Sequence, residues 1–326
     1  MAILSLASEA WPIRGTFTIS RGSRTEAEVV VVELREGEHR GRGECVPYAR
    51  YGETLESVIV QLQGLEDAIA SGLDSDRLQD ALAPGAARNA LDCAFWDLDA
   101  KCSGKRVWEL AGLPAPEPLT SAYTLSLDTP EKMQIAAMEN ASRPLLKLKL
   151  AGPEDLQRVE AVRQGAPEAA IIVDANEGWT PQIYTDLAPK LAALGVELIE
   201  QPLPAGDDAA LGEIARPVPV CADESCHDRA SLPRLKGLYD IINIKLDKTG
   251  GLTEALALKE EAEALGFGVM VGSMLGTSLS MAPAHLVAQA VDVVDLDGPL
   301  LLARDRENPM QFDGSLIHPA DAALWG

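Results

Sequence analysis

From about residue 120 onward, short apolar β-prone runs recur with a fixed spacing: "TSAYTL", "PLLKLKL", "AIIVDAN", "VELIEQP", "VPVCADE", "IINIKLD", "FGVMVGS" and "VVDLDGP". Their starts lie roughly 21 to 27 residues apart, the length of one strand plus one helix. The stretches between them carry helix signals. "GPEDLQRVEAVRQG" has an early proline, acids in its first turn and apolar residues at helical spacing, and "GLTEALALKEEAEALG" ends on Gly266. Eight such runs predict a parallel α/β barrel. No clear helix follows the eighth run, so the expected fold is a (β/α)7β TIM-like barrel over residues 118–298.

The first 117 residues read differently. "EAEVVVVEL" and "HRGRGECVPY" flank the turn-like "REGEH", an antiparallel pair, and "ETLESVIVQLQGLEDAIASG" and "GAARNALDCAFWDLDAKCSG" have helical amphipathicity. An α+β capping domain over residues 1–117 is expected, joined by the tail 299–326. A net charge of −22 argues against nucleic acid or an anionic membrane surface as partner. No segment has the apolar length of a membrane span, and "MAILSLASEAWPIRG" lacks a basic leader. Five scattered cysteines without metal-ligand spacing fit reduced thiols in a cytoplasm.

"PLLKLKLAG" threads two lysines through a core strand. Alternation puts Lys147 and Lys149 on one face and Leu146, Leu148 and Leu150 on the other. A buried lysine needs a partner. Barrel sites gather at the C-terminal strand ends, which in order carry Lys149, Asp174, Glu200, Asp223 and Lys245. Three converging carboxylates repel one another unless a cation or protons intervene, and a purely oxygen donor set suits Mg²⁺ better than Zn²⁺. Cys221, deeper on the strand of Asp223, reads as packing.

Strands two and six of eight stand half a barrel apart, so Lys149 and Lys245 face each other across the metal. A carbon held between them loses a proton to one and regains it from the other, which inverts a stereocentre. Removing a proton next to a carboxylate leaves an ene-diolate, which a divalent ion stabilises. A lysine base must shed a proton whose free pKa is about 10.4, and a neighbouring cation with partial desolvation favours that. Lys147 either tunes Lys149 in this way or binds the substrate carboxylate. Lys248 falls beyond its strand and is expected at the surface.

These residues resemble the enolase superfamily, and within it the muconate-cycloisomerase-like subgroup. The resemblance spans nearly the whole chain through "KLK", "DANEGW", "EQP", "ADES", "IKLDKTGG", "GRGECVPYARYGET" and "WDLDAKCSG". It implies one Mg²⁺ held by Asp174, Glu200 and Asp223, with Lys149 and Lys245 as paired acid/base residues. It also implies a capping domain closed over the barrel mouth, and it suggests a homo-oligomer. Members that use a histidine base are not matched, because His39, His227, His285 and His318 lie elsewhere.

"VVDLDGP" separates activities within the subgroup. Asp295 and Asp297 share a face by strand periodicity and make an anionic clamp suited to an ammonium group. In this position they resemble the clamp by which dipeptide epimerases hold the free amino terminus. "ISRGSRTEA" lies where the family folds a loop over the site, and Arg24, or its competitor Arg21, there grips a second carboxylate. Tyr48 and Tyr51 shape the pocket or its lid. The expected activity is Mg²⁺-dependent epimerisation of a small dipeptide in cell-wall peptide metabolism, L-Ala-D-Glu to L-Ala-L-Glu. The alternatives are a different dipeptide, a cycloisomerase or o-succinylbenzoate synthase-type lyase, and a metal-binding barrel without catalysis.

Overall fold

The computed structural model describes residues 2–326. An antiparallel sheet opens the chain: β1 (Ile3–Ile19), β2 (Gly22–Glu36) and β3 (His39–Cys45), in the order β1-β2-β3. The β2–β3 pair is the one expected around "REGEH". β1, a strand the sequence reading does not anticipate, adds a long hairpin arm whose tip is Ser20 and Arg21. The unbroken valine run of β2 has a physical cause. Val30, Val32 and Leu34 pack beneath the helices that follow, while Val29 and Val31 belong to the core shared with the barrel. Both faces of the strand are therefore dry, and each such side chain contributes about 1.5–3 kcal/mol.

Those helices are α1 (Leu55–Gln63), α2 (Glu66–Ala70), α3 (Ser75–Ala81), α4 (Ala86–Ser103) and α5 (Val107–Leu110). A reciprocal cap between Thr54 and Ser57 starts α1, and the expected single helix is interrupted at Gly64 and Leu65 to give α1 and α2. α4 lies directly on β3. A Cβ added to Gly43 would stand 2.0 Å from the Ala90 carbonyl oxygen, so glycine is required for that approach.

After β4 (Leu119–Thr120) come eight parallel strands in sequential order: β5 (Tyr123–Leu125), β6 (Leu145–Lys149), β7 (Ala170–Asp174), β8 (Val196–Glu200), β9 (Val220–Ala222), β10 (Ile241–Ile244), β11 (Gly268–Gly272) and β12 (Val293–Asp295). The seam between β12 and β5 is bridged by Ala122 N–H donating to Val294 O at 2.8 Å and by Leu296 N–H donating to Ser121 Oγ at 2.9 Å. Around the barrel lie α6 (Pro130–Glu139), α7 (Asp155–Gly165), α8 (Pro181–Ala193), α9 (Leu232–Leu235), α10 (Leu246–Thr249), α11 (Leu252–Ala264), α12 (Ser278–Val287) and the single turn α13 (Gly298–Leu301). No α-helix links β8 to β9; a 3₁₀ turn at Ala209–Gly212 does. The brevity of α13 agrees with the (β/α)7β reading.

The strands alternate as a barrel demands. Ala122, Ile172, Leu198, Cys221 and Met270 form an inner apolar layer, whereas Leu146, Leu148, Leu150 and Val173 face the helices. Cys221 is thus packing, and all five cysteines are free. No helix among the described residues is long and apolar enough to cross a membrane.

The tail returns to the N-terminal elements. β13 (Phe312–Asp313) and β14 (Leu316–Ile317) complete a small sheet with β4. Ala303 N–H donates to Pro12 O at 2.7 Å, and Trp325 Nε1 donates to Cys93 O in α4 at 3.0 Å. Buried Glu44, at the end of β3, accepts Thr277 N–H at 2.8 Å and pairs with Arg306 at 2.6 Å. Asp247 accepts from Val46 N–H and Asn89 Nδ2 at 3.1 and 2.8 Å, again joining the N-terminal region to the barrel.

Candidate active site

Register places the strand-end charges side by side. Lys149 pairs with Asp174 across β6 and β7, and Asp174 with Glu200 across β7 and β8. Asp223 follows directly on β9 and Lys245 on β10. Because Asp174, Glu200 and Asp223 continue the inward columns of Ile172, Leu198 and Cys221, their carboxylates converge above the inner apolar layer. One oxygen from each lies within 4.8 Å of the others, and all three residues are buried. An all-oxygen, three-carboxylate donor set without histidine or cysteine fits a hard divalent cation.

The lysines meet these acids directly. Lys149 Nζ is 2.6 Å from Asp174 Oδ2, and Lys245 Nζ is 2.6 Å from Asp223 Oδ2. Both lysines line one cavity, from β6 and from the end of β10, with β7, β8 and β9 between them. Lys147 lies deeper, 2.5 Å from Glu200 Oε2, 2.7 Å from Asp295 Oδ2 and 3.6 Å from Asp174 Oδ2. It does not line that cavity; it joins two of the carboxylates to the end of β12.

Burial resists ionisation at all three acids, and the ammonium groups decide the outcome at two. Lys149 and Lys147 hold Asp174 below the usual carboxylate range, while Lys245 and Lys248 hold Asp223 well below it. Glu200 is raised, by burial first and then by Asp174. Burial works against the charge on Lys245, but Asp223 and Glu200 outweigh it and raise its pKa. With the carboxylates facing it, Lys245 is held as an ammonium group.

A second ring of polar groups fixes the acids, and the sequence reading missed it. Asn176 donates its backbone N–H to Asp174 Oδ1 at 2.8 Å and its Nδ2 to Oδ2 at 3.0 Å. Asn243 Nδ2 donates to Glu200 Oε1 at 2.8 Å. Gln201 Oε1 accepts the backbone N–H groups of Asp223 and Ser225 at 2.9 and 3.0 Å, and so ties the end of β8 to the loop after β9. Asn243 had a signal in the sequence, since it shares a strand face with Lys245.

Lys248 corrects an expectation. It is not at the surface: it is 1% exposed, because the one-turn helix α10 folds back on the strand that precedes it. Its ammonium group donates to Asp223 O at 2.6 Å, Asp223 Oδ1 at 2.7 Å and Asn243 O at 2.9 Å. All three N–H donors are used.

Asp295 and Asp297 are both buried at the β12 end, and neither lines the cavity that holds Lys149 and Lys245. Asp295 Oδ2 is taken by Lys147, while its Oδ1 has no hydrogen-bond partner. Asp297 Oδ2 accepts Thr124 N–H at 2.6 Å, and burial together with Asp295 pushes its pKa up to about 7.

Above the cavity the β1–β2 hairpin distinguishes the two arginines. Both line the cavity; Arg24 has its guanidinium 5.5 Å from the Tyr48 ring centre, and no carboxylate among the described residues pairs with it. Arg21 is occupied by Glu224 Oε1 at 2.6 Å, Asn176 O at 2.8 Å and Tyr48 OH at 3.0 Å. Tyr48 and Tyr51 line the same cavity and meet edge to face at 5.5 Å.

Residues 132–321 match the enolase C-terminal domain-like family, and residues 1–112 match the mandelate racemase / muconate lactonizing enzyme N-terminal domain. The chain belongs to the enolase superfamily. It is 48% identical to the L-Ala-D/L-Glu epimerase of Escherichia coli K12, covering 98% of this chain and 100% of that one. It is 44% identical to an N-acetyl-D-glutamate racemase of a Pseudoalteromonas species, covering 91% and 95%. Among solved structures, an enolase family member from Agrobacterium tumefaciens with bound sodium and L-Ala-L-Glu superposes with a TM-score of 0.98 at 54% identity over 100% of both chains. A dipeptide epimerase of Enterococcus faecalis, complexed with Mg and L-Leu-L-Tyr, gives 0.91 at 28% identity over 99% of this chain and 98% of that one.

Proposed function

We propose that this enolase-superfamily protein is a Mg²⁺-dependent dipeptide epimerase that interconverts L-Ala-D-Glu and L-Ala-L-Glu by moving one proton at the α-carbon of the glutamate residue. The observation that carries the reading is the pair Lys149 and Lys245, lining one cavity from opposite halves of a barrel whose mouth gathers three buried carboxylates. A non-catalytic cation site has no use for ammonium groups 2.6 Å from its ligands. The similarity to the Escherichia coli and Agrobacterium tumefaciens proteins supports the choice of dipeptide.

Asp174, Glu200 and Asp223 would hold the metal. When bound, Mg²⁺ supplies positive charge that favours ionisation of the substrate α-proton and competes with the lysines for their carboxylate partners. Lys149 takes or gives the proton on one face of the α-carbon, and Lys245 does so on the other. Lys147, buried between Glu200 and Asp295, offsets the mutual repulsion of the carboxylates and joins them to the end of β12. Asp295 and Asp297 do not line this cavity; the ammonium terminus is assigned to them because Asp295 Oδ1 is a buried acceptor without a partner, which an incoming N–H donor would satisfy. Arg24 takes the side-chain carboxylate, because its guanidinium lines the cavity without an ion-pair partner.

The implied setting is the cytoplasm, with a murein-derived dipeptide as the small-molecule partner and no nucleic acid or membrane. Proton NMR of L-Ala-L-Glu in D₂O with protein and Mg²⁺ tests the proposal. Exchange of the glutamate α-proton and appearance of the D epimer are expected; no exchange contradicts it. A dipeptide library sets the second position, and preference for a non-acidic residue there removes Arg24 from its role.

A further inference from the structure

The β1–β2 hairpin crosses the barrel mouth and is fixed at both rims. On one side Leu127 N–H donates to Thr18 O at 3.0 Å and Thr18 N–H donates to Ser126 Oγ at 2.7 Å, which holds β1 to the loop after β5. On the other side the attachment is made by the tip. Ser20 Oγ donates to Asn176 O at 2.9 Å, and Arg21 reaches Asn176 O, Glu224 Oε1, Tyr48 OH and, at 3.4 Å, Glu177 Oε2.

The acceptors are not arbitrary. Asn176 lies two residues after Asp174, whose carboxylate it grips with both of its N–H donors. Glu224 directly follows Asp223, and its side chain is 1% exposed with one oxygen on Arg21 and the other unpartnered. The turn at Asn176 and Glu177 has φ of 44° and 65°, a region that side-chain-bearing residues seldom occupy, so it needs outside support. Arg50 supplies part of it by a two-pronged pair with Glu177 at 2.7 and 2.8 Å. Arg21 supplies the rest from the hairpin. Its planar fork holds several donors in fixed, spread directions, which suits acceptors contributed by separate loops.

We propose that Arg21 is a positioning residue that fastens the hairpin across the barrel mouth by gripping the loops after Asp174 and Asp223, and that it takes no part in recognising the substrate side chain. The division of labour with Arg24 rests on the function proposed above, but the fastening does not. Both arginines line the cavity, but Arg21 is spent on protein acceptors, whereas Arg24, three residues along the same hairpin, has no ion-pair partner.

The test uses Arg21→Met and Arg21→Lys in the full chain. Tryptic cleavage after Arg24 is measured against cleavage after Lys132, an exposed site in α6 that reports general loosening. The Met variant is expected to raise that ratio at least tenfold, with partial recovery in the Lys variant. Its kcat/KM is expected to fall at least tenfold, by the same factor for L-Ala-L-Glu and for the isosteric L-Ala-L-Gln. An unchanged cleavage ratio would overturn the fastening, and a loss confined to L-Ala-L-Glu would make Arg21 a substrate contact instead. Because proteolysis needs no turnover, failure of the proposed epimerisation leaves the fastening result readable.

Discussion

Replacing Lys248 by methionine removes one charge from the middle of the barrel and leaves the volume nearly unchanged. The lost amine served Asp223 Oδ1, Asp223 O and Asn243 O at 2.7, 2.6 and 2.9 Å, at a position 1% exposed to solvent. Asp223 keeps Lys245 on its other oxygen, so its charge is half-compensated rather than abandoned. Breaking a buried pair by deleting one partner costs about 3–5 kcal/mol, chiefly through the acceptors left without donors. For a chain of this size that corresponds to a fall in melting temperature of about 4–7 °C. Thermal melts of metal-free protein followed by circular dichroism measure the effect. A melting temperature within 1–2 °C of the parent, the expectation for an exposed lysine, would refute the reasoning.

Other expectations follow from the same geometry. Asp295→Asn combined with Asp297→Asn should raise KM for L-Ala-L-Glu about 10–100-fold, the worth of charge-assisted hydrogen bonds to an ammonium group; unchanged steady-state KM would place the amine elsewhere. Chelation of the metal should abolish α-proton exchange, and Mg²⁺ at about 100 times its Kd should return roughly 2.7 kcal/mol of stability to the native state, read as a rise in melting temperature. Asp247 gives a pH dependence: burial holds it up to about 7, against about 3.9 in the unfolded chain. Its contribution to stability is therefore complete below about pH 4 and is lost as pH rises through 7. Asp247→Asn should flatten that part of the melting-temperature profile, and an identical slope in the variant would exclude Asp247 as its source.

The barrel and the inward charges were legible because strand alternation is a strict rule. Once Ile172, Leu198 and Cys221 are inside, Asp174, Glu200 and Asp223 two residues later must be inside too. Lys248 escaped because nothing in "KLDKTGG" announces that a single helical turn will direct an amine back at its own strand. Asn243 was overlooked for another reason: a neutral amide carries no charge pattern, although its face was predictable. The grip of Lys147 on Asp295 joins β6 to β12 across the seam with β5 between them, strands distant in sequence, so no local pattern encodes it. The same holds for Arg21, whose partners come from the loops after β7 and β9 and the segment after β3. The break between α1 and α2, and the strand character of residues 3–19, belong to tertiary packing rather than periodicity.

Hydrogen–deuterium exchange of L-Ala-L-Glu and L-Ala-D-Glu, each followed separately by proton NMR with Lys149→Ala and with Lys245→Ala, tests most directly whether two amines serve opposite faces of one carbon. Neither variant should epimerise, and each should lose exchange with a different epimer, so that the two patterns are mirror images. Loss of exchange with the same epimer in both variants, or epimerisation persisting in either, would contradict the assignment.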